Sequence, residues 1–497
     1  MAVARRWHRF ARADQAVPMP SPEFDLAVIG AGAGGLAVAS GGARVGAKVA
    51  LIEKRRLGGD CLWYGCVPSK TLLKSARVAH LMRHADRWGL SPADPQPDLA
   101  RVMAHVDATV TDIAAPETPE RFRALGVDVV FGAGRFTSPS TFDIDGRTIT
   151  ARHFVIATGS RAAVPPIAGL AYVPYLTNET VFALREPVPH LIIVGAGPVG
   201  SEMAQAFCRL GSAVTVVDMA NRILPREDTD VAAVVQQQLE SEGVRYRLGI
   251  TVGGVKQGDA HAGRIRMTLR TANGAVEQLA ASHLMLAAGR VPNIEDLGLD
   301  AAGVRCESGR IVCDEALHTT NPNIHVIGDA AGGHPFTHVA EHQAGIVLRQ
   351  TLFRVRWAKP STVIPWCTYT DPEVARVGLS ETDARAHGID HRVYRYSFGD
   401  IHRARTEAET EGFAKLVTEP RGRLLGAAIV GADAGELIAE CVLAIVNDLK
   451  AEDILDAIHT YPTRSQITRR VANQRRRESL TSASRARMQR LFGLRGA

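Results

Sequence analysis

Long apolar runs are missing from this chain. Nothing approaches the roughly 18 uninterrupted apolar residues of a membrane-spanning helix, so none is expected. The start, MAVARRWHRFARADQAVPMPSPEFD, is rich in Arg but lacks the apolar stretch of a secretory signal, and reads as a flexible extension over 1–23 of a cytoplasmic protein, with Met19 an alternative start. Cysteine is scarce, seven in 497 residues, and the one close pair, Cys61 and Cys66, has no second Cys or His pair at the spacing that common zinc sites use. No metal site is therefore expected. No aromatic-interleaved basic groove is present, which makes nucleic acid an unlikely partner.

The net charge of +6 is unevenly placed. Residues 464–497 hold ten Arg and one Glu, and residues 1–24 add +2, which leaves −5 for the body between them. The basic tail reads as a solvated terminal segment that could contact an acidic partner. A content of 46% hydrophobic residues with 46 glycines and 25 prolines is that of a globular α/β protein, and the length suggests about three domains at roughly 100–200 residues each.

Two stretches share one plan. FDLAVIGAGAGGLAVASGGARVGAKVALIEK is a buried strand, a glycine turn (Gly30, Gly32, Gly35), a helix and a second strand ending at Glu53. HLIIVGAGPVGSEMAQAFCRLGSAVTVVDMA repeats this with Gly195, Gly197 and Gly200 in the turn and Asp218 at the strand end. Such turns let the backbone approach a pyrophosphate at the positive end of a helix, and the terminal acid suits ribose hydroxyls. An Asp at the second site favours NADH over NADPH, although Arg222 lies close enough in sequence to soften the preference. FVIATGSR and LMLAAGRVP echo each other as the closing strand of each half, and NIHVIGDAAG places Asp329 at a further strand end.

The stretch GGDCLWYGCVPSK brings Cys61 and Cys66 five residues apart. A straight helix does not bring such a pair within bridging distance, so the turn must be distorted, and Gly65 can supply the distortion. Metal ligation, a redox couple and chance proximity all remain open from these residues alone.

In order and spacing, GAGAGG, GGDCLWYGCVPSK, ATGS, GAGPVGSE, AAGRVPN, IGDAAG and IPWCTYTDPEVARVGL resemble the class I pyridine nucleotide-disulfide oxidoreductases, from about Phe24 to Gln466. This group includes dihydrolipoamide dehydrogenase, glutathione reductase and mercuric reductase. The resemblance implies an α/β fold with two Rossmann-like dinucleotide-binding domains and a C-terminal α+β dimerisation domain. The FAD domain would span 24–160 and 291–355, the NAD(P) domain 161–290 and the interface domain 360–475, followed by a basic tail over 476–497. It implies a homodimer in which the partner's C-terminal domain completes each site.

By the same resemblance, FAD meets Gly30, Gly32, Gly35, Glu53, Lys70, Ala133, Thr158, Gly159, Asp329 and His338. NAD(P)H meets Gly195, Gly197, Gly200, Asp218, Gly289 and Arg290. Cys61 and Cys66 would form the redox-active disulfide, Cys61 exchanging with substrate and Cys66 facing the flavin, with Lys70 paired to Glu202. The expected function is an NAD(P)H oxidoreductase that serves a small acceptor, a disulfide or a metal ion such as Hg(II). The alternatives are a dihydrolipoamide dehydrogenase working toward NADH, a flavin-direct quinone reductase with auxiliary cysteines, and a nucleotide-bound interaction protein.

Two departures limit the acceptor. Disulfide-reducing relatives read H-P-T-x-x-E where this chain has Tyr461 and Gln466, and a phenol is a poor base near neutral pH. Mercuric reductase carries Tyr in this region, so Tyr461 is expected to help position a metal ion, but the terminal cysteine pair of that enzyme is absent here. Asp60, Trp63 and Tyr64 replace the usual Thr and Asn around the first cysteine. Asp60 is expected to raise the Cys61 pKa, and the two rings to narrow the entrance. The other five cysteines read as core.

Overall fold

Strand and helix alternate from Phe24 onward because each glycine turn ends a run of β-branched and aliphatic residues and opens a helix of small ones. The computed structural model describes residues 22–258 and 264–496; Met19 and all but the end of the 1–23 extension lie outside the described residues. The first sheet orders Val127–Phe131, Val49–Glu53, Phe24–Ile29 and Arg147–Ile156 in parallel, with Ile324–Val326 parallel beside the last. Gly134–Ser138 and Thr141–Ile144 extend it as an antiparallel meander. Val28 lies opposite Leu51 on one side and Val155 on the other, and all three are fully buried. Burial on both faces is why these strands read as continuous apolar runs without alternation.

The second sheet repeats the order with Arg245–Arg247, Ala213–Val217, His190–Val194 and His283–Leu286, again parallel. An antiparallel three-stranded layer, Ile250–Gln257, Ile265–Thr271 and Val276–Ala281, belongs to the same part of the chain. The chain leaves the first unit through Ser160–Ala162 and returns through Arg290–Pro292, and these short strands pair with each other. A five-stranded antiparallel sheet, in order Pro365–Thr368, Glu373–Gly378, Leu424–Gly431, Phe413–Thr418 and Arg392–Ser397, forms the C-terminal unit with helices Ala434–Val446 and Gln466–Glu478. The architecture is the expected α/β class with an α+β C-terminal unit.

One expectation fails in detail. Cys306 is exposed, because it sits on a two-residue edge hairpin with Arg310–Ile311 and has no core to enter.

Buried charge holds the second and third units together. Lys415, its side chain 3% exposed, lies 3.2 Å from Asp228, 2.6 Å from Asp230 and 3.3 Å from Glu381. Arg209, also buried, pairs with Glu242 at 2.6 Å and reaches Asp371 at 2.9 Å. Removing one member of such a group leaves the others uncompensated. Lys415→Met is therefore expected to cost about 3–5 kcal/mol, read as a fall of several degrees in the thermal unfolding midpoint; an unchanged midpoint would show that the seam contributes nothing.

Candidate functional site

Both glycine turns are built the same way. Gly30 has φ +101°, and a Cβ at Gly35 would lie 1.9 Å from the Gly30 carbonyl oxygen; at Gly200 the same atom would lie 1.8 Å from the Gly195 oxygen. The helix packs so tightly onto its turn that only glycine fits. Each strand-end acid is pinned by two backbone amides. Glu53 accepts from Ala31 and Arg55, both at 2.8 Å, and Asp218 accepts from Ala196 at 2.6 Å and Ala220 at 2.7 Å. Each carboxylate oxygen keeps a lone pair for a sugar hydroxyl.

A cavity of about 1220 Å³ opens at the first turn and runs to the cysteines. Gly30, Gly32, Glu53, Ala133, Thr158, Gly159, Asp329 and His338 line it, with Cys61, Cys66, Lys70 and Glu202 at the inner end. Gly35 lies beneath the turn and is not among the lining residues. Gly195, Gly197, Gly200, Asp218 and Gly289 stand outside this lining, and the second unit reaches the cavity through Pro198, Val199, Glu202 and Met203.

The two cysteines meet at a break between helices. Gly59–Trp63 ends, Tyr64 donates its N–H back to Asp60, and a new helix, Cys66–Arg83, starts after Gly65. A Cβ at Gly65 would sit 3.1 Å from both the Asp60 oxygen and the Cys61 Cα, so this residue lets the second helix fold back over the first. The hydrogen bond from Cys61 lowers the Cys66 thiol to about 6; burial opposes the shift and the Lys70 ammonium assists it. Cys61 is raised, chiefly because it gives that hydrogen bond, with burial adding to the effect. The pair thus holds one stabilised thiolate and one protonated donor.

Lys70 donates to Glu202 at 2.8 Å, and its ammonium lies 4.7 Å from the centre of the Tyr369 ring. Burial alone would lower Lys70, yet Glu202 holds it above its ordinary value, so the ammonium persists. The second oxygen of Glu202 accepts the Tyr369 backbone N–H at 2.9 Å.

Asp60 departs from its expected role. Its carboxylate receives Arg290 at 2.9 Å and Asn178 at 3.0 Å, and its pKa is raised mainly by burial. Arg290 also donates to the Ser160 hydroxyl at 2.7 Å and lies 3.6 Å from Asp329, to which Ser160 donates. Paired in this way, Asp60 is absent from the main influences on Cys61, which come from Cys66, burial and Thr337. Arg290, expected with NAD(P), turns its guanidinium toward the first glycine site.

The rings beside Cys61 are also anchored. Trp63 donates its indole N–H to the Leu57 carbonyl at 2.6 Å beneath the Arg56 guanidinium, and Arg56 donates to the Tyr64 hydroxyl at 2.8 Å. They brace the turn as well as lining the cavity.

Tyr461 stands apart from the cysteines of its own chain. It is 64% exposed and shares a 3.0 Å hydrogen bond with His402 beside a separate small hollow. His459 is half-buried, with Nε2 2.8 Å from Glu440 and Nδ1 3.0 Å from the Ala457 carbonyl. Gln466 caps the carbonyls of His459 and Thr460. Sequence reasoning missed Asn178, Ser160, Thr337 and Tyr369. Tyr369 sits inside the quoted IPWCTYTDPE motif, whereas no local signal marks Asn178.

The thiol geometry generates a pH dependence. In the dithiol protein, alkylation of Cys66 by iodoacetamide, mapped by mass spectrometry, is expected to rise through a midpoint near pH 6 and to level off above it. Lys70→Met removes the nearest ammonium and should move the midpoint upward, whereas Asp60→Asn should leave the Cys61 rate within about twofold. A wild-type midpoint at the ordinary thiol value would refute the assignment of the thiolate to Cys66.

A family model described as "Pyridine nucleotide-disulphide oxidoreductase" matches residues 24–344, and the dimerisation domain of the same family matches residues 364–472. The chain is 36% identical to a dihydrolipoyl dehydrogenase of Chlamydia muridarum, covering 89% of this chain and 95% of that protein. It is 32% identical to a mercuric reductase of Lysinibacillus sphaericus, covering 89% and 81%. Among solved structures it resembles the HOCl-induced flavoprotein disulfide reductase RclA from Escherichia coli in its Cu(II) complex. That match has a TM-score of 0.79 and 28% identity, and covers 91% of this chain and 99% of that one. The matched domains span most of the sequence, and the chain belongs to the class I pyridine nucleotide-disulphide oxidoreductases, a family of FAD-dependent enzymes that take electrons from NAD(P)H.

Proposed function

We propose that this protein uses NADH and FAD to reduce a small thiophilic acceptor through Cys61 and Cys66, and that a metal ion such as Hg(II) or Cu(II) suits the site better than a disulfide. The observation that carries the reading is the Cys61–Cys66 pair with one stabilised thiolate, lining the same cavity as the Lys70–Glu202 ion pair.

The residues present fit the cofactors. The cavity exceeds the roughly 300–1,000 Å³ of an ordinary small-molecule pocket. The helix Ala33–Arg44 opens on a cradle that any Cβ at Gly35 would collide with, and Glu53 stands at the sugar position. When bound, FAD and NAD(P)H supply a two-electron relay from the nicotinamide to the sulfurs. Of the chain's own groups, Glu53 and Asp218 would hold ribose hydroxyls, Asp329 and Thr158 would line the flavin side, and Lys70 would stabilise negative charge near Cys66.

Asp218 supports NADH over NADPH, because the neighbouring arginines are occupied. Arg222 folds back to donate to the Pro225 and Glu227 carbonyls and to Thr229, and Arg247 is taken by Glu277. Neither is free to meet a 2′-phosphate.

The preference for a metal ion follows from proton bookkeeping at the sulfurs. Exchange with a disulfide forms a Cys61–substrate S–S bond and expels a thiolate, which leaves faster when an acid protonates it. Tyr461 offers a phenol in place of an imidazole, and both ring nitrogens of His459 are engaged by Glu440 and Ala457. A metal ion held by two thiolates leaves by accepting electrons: NADH and Hg(II) give NAD⁺, H⁺ and Hg(0), with no sulfur leaving group to protonate.

The test is an anaerobic NADH titration of the FAD-loaded protein. A long-wavelength absorbance band at two-electron reduction, lost in Cys66→Ser, is expected, together with at least a hundredfold loss of Hg(II)-dependent NADH oxidation in Cys61→Ser. Full turnover by Cys61→Ser would instead assign reduction to the flavin alone, with quinones as the acceptors to try. The ratio of kcat/KM for NADH to that for NADPH should exceed about tenfold and collapse in Asp218→Ala.

A further inference from the structure

The C-terminal end of the chain extends past the matched dimerisation domain, which stops at residue 472. Helix Gln466–Glu478 begins packed, with Ile467, Thr468, Val471 and Ala472 buried and Arg475 paired to Glu452, and turns outward at Arg476 and Arg477. The helix Ser482–Phe492 that follows buries no residue. Its ends are well made: the Thr481 side chain accepts the Ser484 N–H, and Gly493 closes the helix at φ 64°. Its side-chain hydrogen bonds stay within the segment, from Ser484 to Ser479 and Thr481 and from Gln489 to Gly496. A helix shorter than about 12–15 residues is marginal in water without a packed face. This one has eleven residues, and none of them is buried.

The residues suit an interface with lipid. Met488 is spaced three residues before Leu491 and four before Phe492, so the three share one face. Leu491 is 65% exposed, Phe492 72% and Leu494 56%. Arg487 lies one turn before Leu491, and Arg485 one turn before Met488, at the two edges of that face. From residue 479 to 497 there are four Arg and no Asp or Glu, and among the described residues no carboxylate pairs with Arg485, Arg487 or Arg490. Exposed apolar side chains beside unpaired arginines combine the two attractions, apolar burial and charge, that hold a segment at an anionic membrane surface.

We propose that Ser482–Phe492 and the turn after it dock on an anionic bilayer surface, with Leu491, Phe492 and Leu494 entering the headgroup region and the arginines meeting lipid phosphates. A symmetric helix-to-helix contact with a second copy would set arginine against arginine. A nucleic acid would use the charge but leave the apolar stripe in water, and one Phe provides no stacking platform. The protein would lie on the bilayer without crossing it, since no helix among the described residues is long and apolar enough to span.

The test is co-sedimentation of the full FAD-loaded chain with vesicles of phosphatidylcholine alone or mixed with phosphatidylglycerol. The anionic vesicles are expected to bind at least about tenfold more protein, and high salt should cut this gain sharply. A chain lacking residues 480–497 should lose the gain while retaining its flavin, which shows that it is folded. Leu491→Ser with Phe492→Ser, which keeps every arginine, should lose most of it as well. Equal binding to neutral and anionic vesicles, or undiminished binding by the truncated chain, would overturn the proposal. So would a Leu491→Ser, Phe492→Ser variant that binds as tightly as wild type, or complete competition by duplex DNA, which would indicate a purely electrostatic contact with polyanions.

Discussion

The Glu202 carboxylate is the point on which the site depends. It is nearly buried, and it joins three parts of the chain at once: Lys70 from the helix that starts at Cys66, its own helix after the second glycine turn, and the backbone of Tyr369 at the edge of the C-terminal sheet. A buried charged group is tolerated only when its partners are in place, so these three parts must assemble together around Glu202. The ammonium it steadies is the same one that helps keep Cys66 a thiolate. Domain assembly and thiol chemistry are therefore one electrostatic problem.

The wider seam follows the same logic. Lys415 meets three carboxylates, Arg209 meets two, and Trp366 donates its indole N–H to the buried Glu227 at 2.7 Å. Each link crosses between chain segments far apart in sequence. Hydrophobic contact would leave the C-terminal unit free to slide, whereas directional bonds fix its angle against the second sheet, and with it the place of Tyr369.

The legible parts of the sequence were those whose physics is local. Glycine turns, strand-end acids and the small residues of the first helices lie within about 25 residues of one another, so spacing alone located the two strand–turn–helix units and the alternation around them. Side-chain partners that cross between units were hidden. Asp60 read as an isolated negative charge because its neutralising Arg290 arrives from 230 residues away, through the antiparallel pairing of Ser160–Ala162 with Arg290–Pro292. Trp63 and Tyr64 read as free rings at an entrance because the Leu57 carbonyl and the Arg56 guanidinium that fix them leave no mark in a motif. Glu440, which holds one nitrogen of His459, likewise comes from another helix and leaves no mark in the motif around Tyr461.

The knot of Asp60, Arg290, Asn178 and Ser160 also bears on inheritance. Changing Asp60 to threonine would remove one carboxylate from Arg290, and changing Arg290 would strand Asp60 beside the reactive sulfur. The second step passes through a charge with no counterpart in a partly buried place, whereas the first leaves Arg290 with Asp329 3.6 Å away. The two positions are thus a coupled character: lineages that gain the acid at the first should carry the arginine facing it, and those without the acid are free to turn that arginine to another task.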